Sequence, residues 1–325
     1  MSSTNTIISS ITIYVGFPIF LSGTLGNIVN VHLLWRNRHN PCAFILIISS
    51  LINCIVLFYG LFTRILSTGF HLDWSTTNRT WCKTRAVLTQ SGFLISITCI
   101  CLASIDRFFV SCRQEKYRRL SRLSIAIVSV IITIISCVLI CIPYSFYVDL
   151  VKNPTTGLTI CNLARYDAFS ISQNYFVFPV CCGLLPSTIL IITGLMTYRN
   201  ANRLQIGRQR ESFQKQLTSM MLIQIPIIIL STLPYVIYTE YTILTVKLSK
   251  SDDRRATELL ITNILTILFY ITFACPFFVF FTSSLSFREE AKILFLCRRS
   301  NQLTSNQIQP YCITTIRNIK PIASR

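Results

Sequence analysis

Asp106 and Arg107 are adjacent unlike charges that follow Ala86–Ile105, a stretch of 20 residues with no Asp, Glu, Lys or Arg. A charged pair at the end of so long an apolar stretch is costly unless it is paired or wet. Asp106 can hold Arg107 locally in a resting state. Once released, the guanidinium can donate hydrogen bonds to the backbone carbonyls of a partner, with Phe108 completing the triplet. The plainer alternative is an interfacial charge pair whose side chains snorkel to the headgroups. Cys82 lies 25 residues before Arg107, at the opposite end of the same segment. Hydrolytic or metal chemistry needs clusters of His with Asp, Glu or Cys. The three histidines, His32, His39 and His71, fall on different sides and form none. Neither catalysis nor a bound cofactor or metal is expected.

The elements that must position these residues are set by where charge is missing. Seven stretches lack Asp, Glu, Lys and Arg: Met1–Trp35, His39–Thr63, Ala86–Ile105, Leu123–Val148, Ala168–Tyr198, Gln216–Thr239 and Leu259–Phe287. About 20 residues of helix span roughly 30 Å, the thickness of the bilayer's hydrocarbon core. A helix in water needs a wet face, so the expected fold is an all-α membrane protein, a seven-transmembrane helix bundle. The composition agrees: the chain is 13% charged, against about 25% in soluble domains. The net charge of +18 is unevenly placed. With the amino terminus outside, the inner connectors hold 20 Lys/Arg against five acids, and the outer connectors hold 10 against seven. Excess Lys/Arg marks the cytosolic side, which predicts an extracellular amino terminus in a multi-pass plasma-membrane protein. Anionic lipid, not nucleic acid, is the expected partner of the basic loops.

Met1–Thr6 carries no basic side chain, and the apolar run after it is too long for a cleavable signal. The first span is therefore expected to act as its own insertion signal. Residues 1–6 are read as a short extracellular segment, 7–297 as the membrane domain and 298–325 as a disordered cytosolic tail. Helix two is expected to stop near Arg64 and helix seven to begin near Glu258. Asn153 to Gly157 reads as a turn before Leu158–Asn162, a small β-hairpin carrying Cys161. Of 14 cysteines, only Cys82 and Cys161 fall in outer connectors, leaving one intramolecular pairing or two free thiols. Asn78-Arg79-Thr80 is a glycosylation sequon in an outer loop. The apolar residues of 287–297 recur at helical spacing, giving a short amphipathic eighth helix with Cys297 as a palmitoylation site.

Seven spans, Cys82 opening helix three, Asp106-Arg107-Phe108 closing it, an outer Cys161 and a closing amphipathic helix together resemble a class A (rhodopsin-like) G-protein-coupled receptor. The likeness runs from Ile7 to Cys297 and points to a divergent, invertebrate orphan of peptide-receptor type. It implies a Cys82–Cys161 disulfide and a G-protein-coupling role for Asp106, Arg107 and Phe108. Gly26-Asn27 resembles the family's helix-one pair. Asn53 stands where the family usually has Asp, and Ser96 where a Ser completes a polar cluster, so Asn27, Asn53 and Ser96 are expected to form a polar core network. Pro186, Pro234 and Pro276 match the kink prolines. Departures are plain: Ser231-Thr232-Leu233-Pro234 replaces Cys-Trp-x-Pro, Cys275-Pro276 replaces Asn-Pro, helix four has no tryptophan, and Gln214 stands where an acidic partner for Arg107 is sometimes found.

Thr89 stands where amine receptors carry an Asp, which argues against a monoamine, and Leu259–Phe287 has no Lys for a retinal Schiff base. The expected ligand-binding residues are Thr89, Gln90, Phe93, Tyr235, Tyr238, Glu240 and Tyr270, with Tyr175, Tyr241 and Asn263 beside them. Aromatics with a few polar groups suit a cavity, and Glu240 could meet a basic peptide group. The expected function is transduction of an extracellular ligand, a short peptide, to heterotrimeric G proteins. The basic second inner loop, Arg210 and Lys215 would form the docking surface. Alternatives are a chemosensory receptor for small molecules and a seven-helix transporter; transporters place ionisable groups at mid-membrane, where this chain has none.

Overall fold

The computed structural model describes residues 2–152, 159–163, 178–203, 211–245, 248, 250–284 and 287–289. Seven helices among them are long and apolar enough to cross a membrane. Helix α1 comprises Ser2–Tyr14 and Gly16–Trp35, and α2 comprises Pro41–Val56 continued by π-helical turns at Leu57–Phe62 and Ile65–Gly69. Helix α3 is Arg79–Ser111, α4 is Leu123–Cys141, and α5 is a π-helical Pro179–Leu184 leading into Leu185–Arg203. Helix α6 is Glu211–Leu244, and α7 comprises Asp252–Ala274 and Pro276–Ser283. The only described sheet is a hairpin, β1 Val148–Lys152 against β2 Thr159–Leu163, antiparallel with Leu150 opposite Cys161.

Local chemistry explains the helix starts. Asn40 and Asn78 each cap a helix, their side chains accepting from the backbone N–H of Ala43 and Trp81. Pro41 follows at the first helical position, where a missing N–H costs nothing. Ser251 accepts from the N–H of Arg254, and Asp252 and Asp253 fill the first turn, where the helix dipole favours negative charge.

Three expected boundaries are corrected. Helix α1 begins at Ser2, not Ile7, and further along it the Ser9 hydroxyl donates to the Thr68 carbonyl at the extended end of α2. Helix α2 runs on to Gly69, because Arg64 finds a partner inside the bundle instead of ending the helix. Helix α7 begins at Asp252, since the Ser-Asp-Asp cap precedes Glu258 by more than a turn. The turn at 153–157, Tyr175, the side chain of Gln214, Cys297 and the tail lie outside the described residues. Of the eighth helix, only residues 287–289 are described, and they are helical. Phe287 there is buried against Phe277 and Phe280.

Helix α3 packs against α2, α4 and α5, and the ring closes through α5–α6, α6–α7 and α7–α1. Helix α4 shows how the apolar helices divide their surface. Ala126, Val130, Thr133, Cys137 and Cys141, spaced three or four apart, are buried, whereas Val128, Ile132, Ile135 and Leu139 are exposed. An all-apolar helix with one packed stripe and one bare face has its bare face in lipid, not water. Helices α1 and α7 meet through small residues: a Cβ added to Gly26 would lie 2.6 Å from the Cβ of Phe277. Close backbone approach of this kind is how helices associate where lipid removes the hydrophobic drive.

Candidate functional site

At one end of the bundle, Arg107 is sequestered. Its side chain is 1% exposed, and its Nη2 donates to Asp106 Oδ2 at 2.5 Å. The other carboxylate oxygen, Oδ1, accepts from the Ser121 hydroxyl at 2.6 Å. Cys42, at the start of α2, lies within hydrogen-bonding reach of the guanidinium. The triplet therefore has a holding shell drawn from α2 and the α3–α4 connector. Ser121 and Cys42 are absent from the sequence expectation, because neither carries a charge or a motif. Phe108 lies half-buried beside Phe109, their centroids 5.8 Å apart. Helix α5 is stitched to α3 nearby: Asn200 donates to Ser111, and Ser104 and Thr193 share a hydrogen bond of 2.7 Å.

Halfway along the bundle, Asn27, Asn53 and Ser96 are fully buried and linked in series. Ser96 donates to Asn53 Oδ1 at 2.5 Å, Asn53 Nδ2 to Asn27 Oδ1 at 3.2 Å, and Asn27 Nδ2 to the carbonyls of Gly23 and Phe273. One chain of hydrogen bonds thus joins α1, α2, α3 and α7. Where the resemblance leads one to look for an aromatic toggle, Ser231 and Thr232 of α6 instead bond to Thr272 of α7, at 2.6 and 3.3 Å. Two of the three expected kink prolines sit at irregular places. Pro276 begins the second part of α7 after a break at Cys275. Pro186 lies two residues past the π-helical turn of α5, and its carbonyl faces the Cys101 thiol. Pro234 lies within α6 together with Pro226, which the sequence reading passed over.

At the opposite end, Cys82 is bonded to Cys161, with Cα atoms 5.8 Å apart, and the hairpin is drawn over the start of α3. Arg79 forms an ion pair with Asp149 of β1, and Lys83 lies 3.9 Å from the same carboxylate. The Arg79 hydrogen bond, helped by the N–H of Leu150, holds the Asp149 carboxyl below the usual range. Asn78, the sequon residue, is exposed but uses its side-chain oxygen as the α3 cap.

The residues expected to bind ligand divide into two groups. Phe93 and Tyr270 are buried in an aromatic cluster with Phe269 and Phe273, and Tyr235 stacks on Phe269 at 4.5 Å. Thr89, Gln90, Tyr238 and Glu240 are half-buried. The Thr89 hydroxyl and one Glu240 carboxylate oxygen are shielded from water without a hydrogen-bond partner. Tyr241 accepts from Arg254 and donates to Glu258, which also pairs with Lys250. Asn263 accepts from Thr12 and from Arg64 Nη2, the latter at 3.0 Å. Arg64 and Arg85 both lie inside helices at this end, and no ligand role for them follows from a search for charge-free stretches. Among the described residues, no cluster of His, Cys, Asp or Glu could hold a metal ion.

Comparison with known proteins adds one match. The profile of a family described as 7 transmembrane receptor (rhodopsin family) matches residues 26–314. No curated protein matches the chain.

Proposed function

Because this chain belongs to the rhodopsin family of seven-transmembrane receptors, we propose that it senses a short extracellular peptide and passes the signal to a heterotrimeric G protein. Membership makes it a receptor and signal transducer, not an enzyme, and a multi-pass protein of the plasma membrane. The observation that carries the proposal is the burial of Arg107, a donor with five N–H groups, behind Asp106, Ser121 and Cys42.

Ligand binding at the Cys82 end favours an alternative arrangement that already exists at low population. The Arg107 end opens in it, and Arg107 turns from Asp106 to the backbone carbonyls of the G protein, beside Phe108. The Asn27–Asn53–Ser96 chain and the Ser231–Thr232–Thr272 contacts are the hydrogen bonds that such a rearrangement must keep or exchange. The amino terminus and the Cys82–Cys161 hairpin face outward, in keeping with the surplus of Lys/Arg in the connectors on the Arg107 side. A peptide fits the pairing of a disulfide-anchored hairpin with the unpartnered polar atoms of Thr89 and Glu240. Asn78 would be the glycan site, and Cys297 the lipid-anchored cysteine.

Cells expressing the chain with promiscuous G-protein reporters, screened against peptide and lipid libraries, test the reading. A peptide that drives the reporter should lose its effect in Arg107→Ala while surface expression is retained. An unchanged response in that variant refutes the role of Arg107. Activation by non-peptide compounds alone would favour a small-molecule chemosensor, and radiotracer flux without any G protein would favour a transporter.

A further inference from the structure

Arg64 of α2 and Arg85 of α3 enter the bundle from neighbouring helices at the Cys82 end. Arg64 Nη2 donates to the neutral side chain of Asn263, and Arg64 Nε is buried with no hydrogen-bond partner. Arg85 donates from Nε to the Tyr59 carbonyl at 3.4 Å and from Nη1 to the Ser75 hydroxyl at 3.2 Å. Through Tyr59 the Arg85 guanidinium reaches α2 within five residues of Arg64, whose charge acts on it, and the Tyr270 hydroxyl stands beside Gly60 on the same stretch of that helix. Among the described residues, neither makes an ion pair. Asp73, the acid that acts on Arg85 from a distance, already accepts from the Ser75 N–H and hydroxyl. Two half-buried cations beside each other, with only neutral acceptors, repel one another and leave the buried Arg64 Nε without a partner. An anion between them removes both costs. Planar guanidinium forks match a carboxylate with two parallel N–H donors.

Building on the receptor reading above, we infer that Arg64 and Arg85, with Asn263 and Tyr270 beside them, form an anion subsite that takes a carboxylate of the activating ligand. The carboxylate oxygens accept from the buried Arg64 Nε and from Arg85 N–H groups not used by Tyr59 and Ser75. Asn263 keeps Arg64 aimed into the bundle. A free peptide C-terminus and a small carboxylic acid share this chemistry.

The test uses the purified full-length chain in detergent and follows its thermal unfolding during titration with three probes: N-acetylphenylalanine, its amide, and Ala-Ala-Ala-Phe with a free C-terminus. The acids should raise the unfolding temperature in a concentration-dependent way, since a ligand that binds only the folded form stabilises it, and the amide should not. Half-saturation by the tetrapeptide at lower concentration than the single residue identifies a peptide C-terminus as the source, and the reverse order identifies a small acid. Arg64→Gln or Arg85→Gln should raise the half-saturating concentration about tenfold or more, the loss expected of a charge-assisted hydrogen bond. Arg79→Gln, at the exposed pair with Asp149, should leave it unchanged. Equal shifts by acid and amide, no shift by any probe, or an undiminished acid shift in the double variant overturns the subsite. Should the variants fail to fold, the acid-against-amide comparison on the unaltered chain still decides. No G protein is present, so acid-selective binding by a chain that drives no exchange would refute the receptor reading and retain the subsite.

Discussion

Burying a guanidinium costs several kcal/mol unless its partners are good, and Arg107 meets that cost with one carboxylate and a thiol. Asp106 is in turn steadied by Ser121, so the holding arrangement depends on a residue outside the triplet. Asp106→Asn should therefore loosen Arg107. Losing about 1.5 kcal/mol of charge-assisted hydrogen bonding shifts a two-state balance roughly tenfold. Basal nucleotide exchange on membranes should rise accordingly, and a level equal to that of the parent chain would contradict the holding role. Asn53→Ala cuts the polar chain at its centre, removing the bonds to Ser96 and Asn27, each worth up to about 1–2 kcal/mol. A fall of several degrees in the unfolding temperature in detergent is expected, and an unshifted midpoint would show the chain to be dispensable. Asn27, Asn53 and Ser96 are legible in the sequence because their spacing from Gly26 and Arg107 matches a family pattern. Arg64 and Arg85 are not, because a search for uncharged stretches treats every arginine as a boundary. Thr272 and Ser121 escape for a different reason: a hydroxyl is informative only once its partner is known.

Among the elements, the hydrophobic runs give the number and order of the helices, and the errors gather at their ends. The start of α7 was readable, since Ser251 with Asp252 and Asp253 is a capping pattern. The continuation of α2 was not. Its π-helical turns depend on tertiary contacts such as Gly60, where an added Cβ would lie 2.5 Å from the Tyr270 hydroxyl. Periodicity along one helix carries no record of the neighbour that deforms it. The α1–α7 contact is also tertiary, and it is open to a direct test. Gly26→Val places branched carbons where Phe277 already stands, and overpacking of this kind costs about 1–3 kcal/mol. Surface expression should fall, with partial recovery on adding Phe277→Ala. Full expression of Gly26→Val alone would mean that the two helices can separate without penalty.

For the whole molecule, orientation rests on arithmetic that no single residue decides: a surplus of +15 in one set of connectors against +3 in the other. An epitope at the amino terminus should be stained on intact cells, and one at the carboxyl terminus only after permeabilisation. The opposite pattern would put the Arg107 end outside the cell and the Cys82–Cys161 hairpin inside it. The same view explains why so many large apolar side chains, Leu139, Leu230 and Ile237 among them, stand exposed. In water they would be an aggregation hazard, but against acyl chains they complete the solvation of the bundle.

The wide turns at Leu57–Phe62 have a consequence for chain length. Each residue of an α-helix advances the azimuth by about 100°, so a bulge acts as a rotational spacer for everything beyond it. Inserting one more residue there would leave α2 apolar and helical, yet swing Arg64 away from Asn263, since turns already wide have no slack to absorb it. A one-codon gain in this segment would thus be more damaging than most substitutions within it, because it re-aims a cation while every existing side chain stays as it was.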